Sequence, residues 1–171
     1  MKLLLLATLL FWNGEKITHT DEEWRSLLGR DRYCVMRKKA TEPAFSGKYF
    51  SFEEEGVYLC AACQRVLFQS SEKIQIGHGW PSFSEPISPL QVWIKEDLSL
   101  PFRRYEVLCR SCDSHLGHVF REKKEGPLRY TINSIALEFI PNIKKNSQFG
   151  GVKASNCKFF LLFGITSKQM Q

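Results

Sequence analysis

The rhythm of apolar and polar positions changes near residue 40. Before it, Thr20 is followed three residues later by Glu23, with Trp24, Leu27 and Leu28 behind. That pattern is a capping box opening a helix of about two turns. Gly29 ends this helix, and a second short helical piece is predicted over 31–38. From Ala40 onward, short apolar runs alternate with Gly47, Gly56, Gly77, Gly79, Pro81, Pro86 and Pro89, a texture of strands and turns. Tyr58-Leu59 and Val66-Leu67-Phe68 flank one Cys-x-x-Cys. Glu106-Val107-Leu108 and the run Leu116 to Phe120 flank another, so a strand–knuckle–strand unit occurs twice. Arg129 to Phe139 alternates with period two around Tyr130 and Ile132 and reads as one strand. The pattern predicts a mainly β protein with short helices at its front.

The two ends differ from this middle. Leu3 to Trp12 is apolar except for Thr8 and follows Lys2. This fits the charged and apolar regions of a presequence, is too short to span a bilayer, and has no small-residue cleavage site after it. Residues 1–17 are therefore read as a presequence remnant. It points to the secretory pathway or an organelle if it functions and to the cytoplasm if it does not. Residues 144–171 form a tail of different character, whose apolar run Phe159 to Ile165 is too short for a membrane span. One domain, 18–143, is expected between them, acting as a monomer.

Composition sharpens this picture only modestly. With 43% hydrophobic and 25% charged residues, the 171-residue chain has the balance of a single soluble domain. Thirteen Phe, five Tyr and four Trp suffice for an aromatic core. The net charge of +6 is spread along the sequence rather than clustered with aromatics, so no nucleic-acid partner is expected.

The six cysteines change the picture more. Cys34 and Cys157 stand alone, whereas Cys60/Cys63 and Cys109/Cys112 form two Cys-x-x-Cys pairs. A knuckle of that spacing aims two sulfurs at one point, and two knuckles complete the closed tetrahedral shell of a structural Zn²⁺. A redox dithiol would call for a βαβ setting and a helix N-terminus, which the pattern does not offer. The expected fold is therefore a set of antiparallel β-sheets clipped by zinc.

Three polar clusters remain: Gly77 to Phe83 (GHGWPSF), His115 to Phe120 (HLGHVF) and Arg129 to Ser134 (RYTINS). The first presents an indole between turn-forming residues, as at a pocket wall. Together with TEPAFSG (41–47), GVYLCAAC (56–63), Leu67-Phe68, Pro86-Ile87 and EVLCRSCDSHLGHVF (106–120), they occur in an order that resembles the methionine-R-sulfoxide reductase B family from about Thr20 to Pro141. The resemblance implies a zinc-clipped, tent-like β fold that reduces methionine-R-sulfoxide, free or in proteins, and is recycled by thioredoxin or another thiol. It also implies that Trp80 packs on the S-methyl group, with Phe83, His78 and His115 completing the wall. His118 and Arg129 would polarise the sulfoxide oxygen, and Asn133 would orient the pocket.

At the position of the family's nucleophilic Cys, in RY-C-INS, this chain carries Thr131. A hydroxyl of high pKa can neither attack sulfur as a thiolate does nor hold oxygen as a sulfenic acid. His78 stands where a recycling Cys is common, and the loop after His118 is short, with Glu122 in place of the family's acidic residue. Two readings follow. One is a reductase that uses another thiol, for which Cys34, near Arg32, Arg37 and Lys38, is the candidate and Cys157 a weaker one. The other is a non-catalytic module that binds methionine sulfoxide.

Overall fold

The computed structural model describes residues 16–75, 77–121 and 126–142. The presequence run, Glu122, the apolar run of the tail and Cys157 lie outside them.

The capping box forms as the sequence dictates. Glu23 N–H donates to Thr20 Oγ1, and Thr20 N–H donates back to Glu23. It opens α1 (Asp21–Lys38), which is two helical pieces joined at Gly29, where φ is 68°. Trp24 and Leu28 are buried, whereas Leu27 is exposed. The helix packs against a strand and a 3₁₀ turn that both border the pocket described below.

Among the described residues, nine strands follow in chain order: β1 (Gly56–Cys60), β2 (Val66–Gln69), β3 (Lys73–Ile74), β4 (Ser82–Phe83), β5 (Val92–Asp97), β6 (Arg104–Cys109), β7 (His115–Arg121), β8 (Leu128–Ile132) and β9 (Leu137–Pro141). They build a three-stranded sheet, β2-β1-β9, and a six-stranded sheet, β3-β4-β8-β7-β6-β5. Every pairing is antiparallel. The sheets meet through aromatic side chains: Phe68 stacks on Phe83 at 4.4 Å, and Tyr58 meets Phe83 edge-on at 5.1 Å. The expected mainly β, antiparallel architecture with helices in front is the one observed.

One predicted element differs. Arg129 to Phe139 is not one strand: it leaves the six-stranded sheet at Ile132, turns through the 3₁₀ segment Ser134–Ala136, and joins the other sheet as β9. Burial of Ile132, Ala136 and Leu137 preserves the apolar rhythm through the break. The break is held by non-local partners. The Asn133 backbone and side-chain N–H groups both donate to Leu116 O, and the Ser134 and Ile135 N–H groups donate to the Glu42 carboxylate.

Candidate active site and metal centre

The two Cys-x-x-Cys units fold alike. In the first, Cys60 N–H donates to Arg65 O at 2.7 Å and Gln64 N–H to Cys60 O at 2.8 Å. In the second, Cys109 N–H donates to Ser114 O and Asp113 N–H to Cys109 O, both at 2.9 Å. Gln64 (φ 61°) and Asp113 (φ 55°) occupy the same left-handed position in each. All four sulfurs lie within 4.8 Å of one another, and Cys60, Cys109 and Cys112 are buried. Hydrogen bonding with Cys109 and Cys112, and then burial, pushes the Cys60 and Cys63 thiols up, while contact with Cys109 and Cys60 favours the thiolate at Cys112. A thiol cluster so crowded and desolvated is a soft, four-donor site for a metal cation.

A second centre lies on the six-stranded sheet. Ser82 of β4 and His118 of β7 are the cross-strand neighbours of Thr131 on β8, so all three side chains share one face. The next residues in register, Phe83, Tyr130 and Val119, turn to the opposite face and are buried in the core. In front of the Thr131 face is a cavity of about 330 Å³ lined by Thr41, His78, Trp80, Arg104, His118, Phe120, Arg129, Thr131 and Asn133. Trp80 is held at its rim by an N–H bond from the indole to Glu42 O at 3.1 Å. The preceding Gly79 has φ 94° and approaches Ala44 so closely that a Cβ there would lie 2.7 Å from the Ala44 Cβ.

The structure thus brings Trp80, His78, His118, Arg129, Thr131 and Asn133 around one cavity. It does not bring Phe83 or His115 to it. Phe83 is fully buried against Phe68, because the pleat alternation that turns Ser82 toward Thr131 turns Phe83 to the core. His115 is buried, with Nδ1 2.7 Å from Glu106 Oε1, and its ring stands 5.3 Å from that of His118. Cys34 also stays away from the cavity. It is exposed on α1 and lines a separate cavity of about 560 Å³ with Asp31, Arg32 and Lys48. Its basic sequence neighbours hydrogen-bond elsewhere: Arg32 to Glu138, Arg37 to Cys112 O, and Lys38 to Asp21. Among the described residues no cysteine lines the Thr131 cavity.

The electrostatics of the cavity come partly from residues that sequence motifs did not flag. Asp97, at the end of β5, accepts from His118 Nε2 at 2.9 Å and from Arg104 Nε at 2.7 Å. The His118 bond, followed by those from Ser99, holds its carboxyl well below the usual carboxylate range. An ionised Asp97 only accepts, so the ring proton of neutral His118 sits on Nε2 and Nδ1 is the ring's acceptor. Burial pushes the His118 pKa down, and Asp97 partly offsets this. Arg129 donates to Thr131 Oγ1 at 2.9 Å, with its guanidinium 5.1 Å from the Phe120 ring centre. The Asp-x-Ser turn at 97–99, in which Ser99 N–H donates to Asp97 Oδ1, was readable. Its pairing with a histidine 21 residues downstream was not.

Glu42, in the TEPAFSG motif but given no role there, supports the site from behind. Its buried carboxylate accepts from Ser134 N at 2.6 Å and Ile135 N at 2.9 Å, and its backbone N–H donates to Asn133 Oδ1. Burial raises its pKa, against those two N–H bonds. Glu42→Ala would strip both N–H groups of their acceptor, while the backbone carbonyl that anchors Trp80 would remain. We expect a loss of about 3 kcal/mol, since one orphaned buried donor costs roughly 1–3 kcal/mol. An unchanged urea midpoint would contradict this.

The match to known proteins runs along the same residues. The model of the SelR domain matches residues 28–141. A protein of Pseudomonas fluorescens named peptide methionine sulfoxide reductase MsrB is 47% identical over 131 residues, covering 74% of this chain and 98% of that protein. A protein of the same name from Methanosarcina barkeri is 46% identical over 127 residues, covering 72% of this chain and 87% of that one. With the family model matched over 28–141 and relatives 46–47% identical across most of their own length, the chain belongs to the SelR domain family, that of the methionine-R-sulfoxide reductases of the B type.

Proposed function

We propose that the Thr131 cavity takes the side chain of R-configured methionine sulfoxide, free or in a polypeptide, and reduces it to methionine with electrons from an external thiol such as thioredoxin or dithiothreitol. The observation that carries this is the convergence of Trp80, His118, Arg129 and Asn133 on one cavity of about 330 Å³. The Trp80 ring offers an apolar face to the S-methyl group, and Arg129 is the charged donor for the sulfoxide oxygen. Thr131 cannot supply the thiolate, so the donor thiol itself attacks the polarised sulfur. Two thiols become one disulfide, the sulfur gains two electrons, and the oxygen leaves with two protons as water. Initial rates of R-sulfoxide reduction with dithiothreitol test this: slow turnover is expected, and its loss in Arg129→Met.

A second reading, a module that binds the sulfoxide without turning it over, is favoured by one observation: no described cysteine lines the cavity. Retained binding with no turnover above the thiol background would select it.

His118 makes the site pH-dependent. While neutral, it spends its only N–H on Asp97; protonation turns Nδ1 into a second donor toward the sulfoxide oxygen. Its pKa lies below the ordinary histidine value, so R-sulfoxide affinity is expected to rise as pH falls below neutral, while Asp97 remains ionised. In Asp97→Asn the raising carboxylate is gone, and the rise moves to lower pH. Affinity that does not vary with pH would contradict this assignment.

The metal of the four-cysteine site is read as Zn²⁺ in a structural role. A tetrahedron of sulfurs about 2.3 Å from zinc has edges near 3.8 Å. The Cys60–Cys112 and Cys63–Cys109 sulfur separations of 3.7 and 3.5 Å support that fit. All four positions are filled by protein sulfur, so the ion would clip β1–β2 to β6–β7 rather than enter the reaction.

A further inference from the structure

An arginine is rarely buried unless a group of opposite charge is buried with it. Arg65, which closes the first Cys-x-x-Cys turn, is 9% exposed, yet it takes part in none of the carboxylate ion pairs among the described residues. Its side chain crosses from one knuckle toward the other. Arg65 Nε donates to Oε1 of Gln91, itself buried, and Gln91 O accepts from Arg110 N–H at 3.0 Å. Val92, the next residue, is paired with Cys109 across β5 and β6. At its backbone, Arg65 O accepts from Cys60 N–H at 2.7 Å. Burial pushes the Arg65 pKa down, and the charges that oppose this shift are those of Cys109 and Cys63.

A second guanidinium arrives from α1. Arg37 donates to Cys112 O at 2.9 Å and to Ser114 Oγ at 3.4 Å, and Ser114 Oγ lies 3.2 Å from Cys112 Sγ. A guanidinium only donates, so Ser114 accepts from Arg37 and its own hydroxyl proton is free to point at a Cys112 thiolate.

We infer that Arg65 and Arg37 are the counter-ions of a metal tetrathiolate, Arg65 beside Cys63 and Cys109 and Arg37 acting on Cys112 through Ser114. This rests on the reading of the four cysteines as a Zn²⁺ site and adds where that site's charge is balanced. Four thiolates on one divalent cation leave two negative charges uncompensated. A buried dianion is costly unless cations are buried beside it, and the two arginines are placed to be those cations. A sulfur beside a positive charge is also a weaker base and a weaker nucleophile. The pair therefore keeps protons from competing with the metal and keeps the loaded sulfurs unreactive, as a structural role requires.

The test is competition for Zn²⁺ between the full chain and a chromogenic chelator, with Arg65→Gln, Arg65→Lys and Arg37→Gln beside the native protein. Arg65→Gln is expected to hold zinc about 10–100-fold more weakly, the usual cost of losing an outer partner of a metal site. Arg65→Lys, which keeps the charge, is expected to recover most of that loss. Loading with Co²⁺ adds a readout that packing alone would not move. A cation beside sulfur holds its electrons, so the thiolate-to-cobalt absorption band is expected at longer wavelength in Arg65→Gln and back near its native place in Arg65→Lys. Native zinc affinity with an unmoved cobalt band in Arg65→Gln overturns the inference, and so does an equal loss in Arg65→Lys. If Arg65→Gln does not fold in saturating zinc, Arg37→Gln decides by the same two readouts. A native chain that takes up no zinc removes the metal reading and this inference together. A native chain that binds zinc no better than the variants removes the counter-ions alone.

Discussion

Stripping the metal from the four-cysteine centre is expected to abolish cooperative unfolding of the domain, not merely to lower its midpoint. The two knuckles sit at the turns β1–β2 and β6–β7, in different sheets and far apart in sequence. Closing so long a loop is entropically costly for the chain alone. Without a cation, four cysteine sulfurs crowd within 4.8 Å of one another in a largely buried site with nothing to bridge them. Binding of a structural Zn²⁺ in small domains amounts to about 10–16 kcal/mol, as large as the 5–15 kcal/mol net stability of a typical domain. Cys109→Ser should therefore have nearly the effect of a strong chelator. The check is near-ultraviolet circular dichroism during heating, with metal content measured in parallel. A chain that loses its metal and keeps its transition would show that the aromatic packing between Phe68, Phe83 and Tyr58 suffices by itself.

Much of this molecule was legible because it is local. The capping box at Thr20, the helix break at Gly29 and both knuckles depend on residues within a few positions of one another, and each formed as its sequence dictates. What was not legible depends on strand phase and long-range partners. Phe83 belongs to the same motif as Trp80, yet alternation along β4 sends it to the core. His115 and His118 are three apart and would face opposite sides of a regular strand. A bulge where Val107 pairs with Gly117 and Leu108 with His115 brings their rings together. The break after Ile132 depends on Glu42, about ninety residues earlier. Asp97 entered the site only when the β5–β6 hairpin placed it against His118. Cys34 is close in sequence to three cations, but Arg32, Arg37 and Lys38 all hydrogen-bond to other partners.

The absence of a thiol at Thr131 remains the feature on which function turns. Thr131, at the position the family resemblance gives to a nucleophilic Cys, has Ser82 on one side, His118 on the other and Arg129 bonded to its hydroxyl. Cysteine is close to threonine in size, so Thr131→Cys should fit the half-buried space without rearranging β8. Beside the Arg129 guanidinium the new thiol would be driven toward its thiolate, the form that attacks sulfur. Removing the nucleophile of a covalent enzyme costs on the order of 10³-fold or more, and restoring one into an intact pocket should return a comparable factor. Under the proposed function this chain keeps a complete sulfoxide-binding pocket from which only the nucleophile is missing. The direct measurement is the rate of R-sulfoxide reduction by the native chain and by Thr131→Cys, side by side, with S-sulfoxide as the stereochemical control. A gain of at least about 10³-fold is expected for the R form alone. A Thr131→Cys protein that folds, binds its metal and is no faster than the native chain would contradict it.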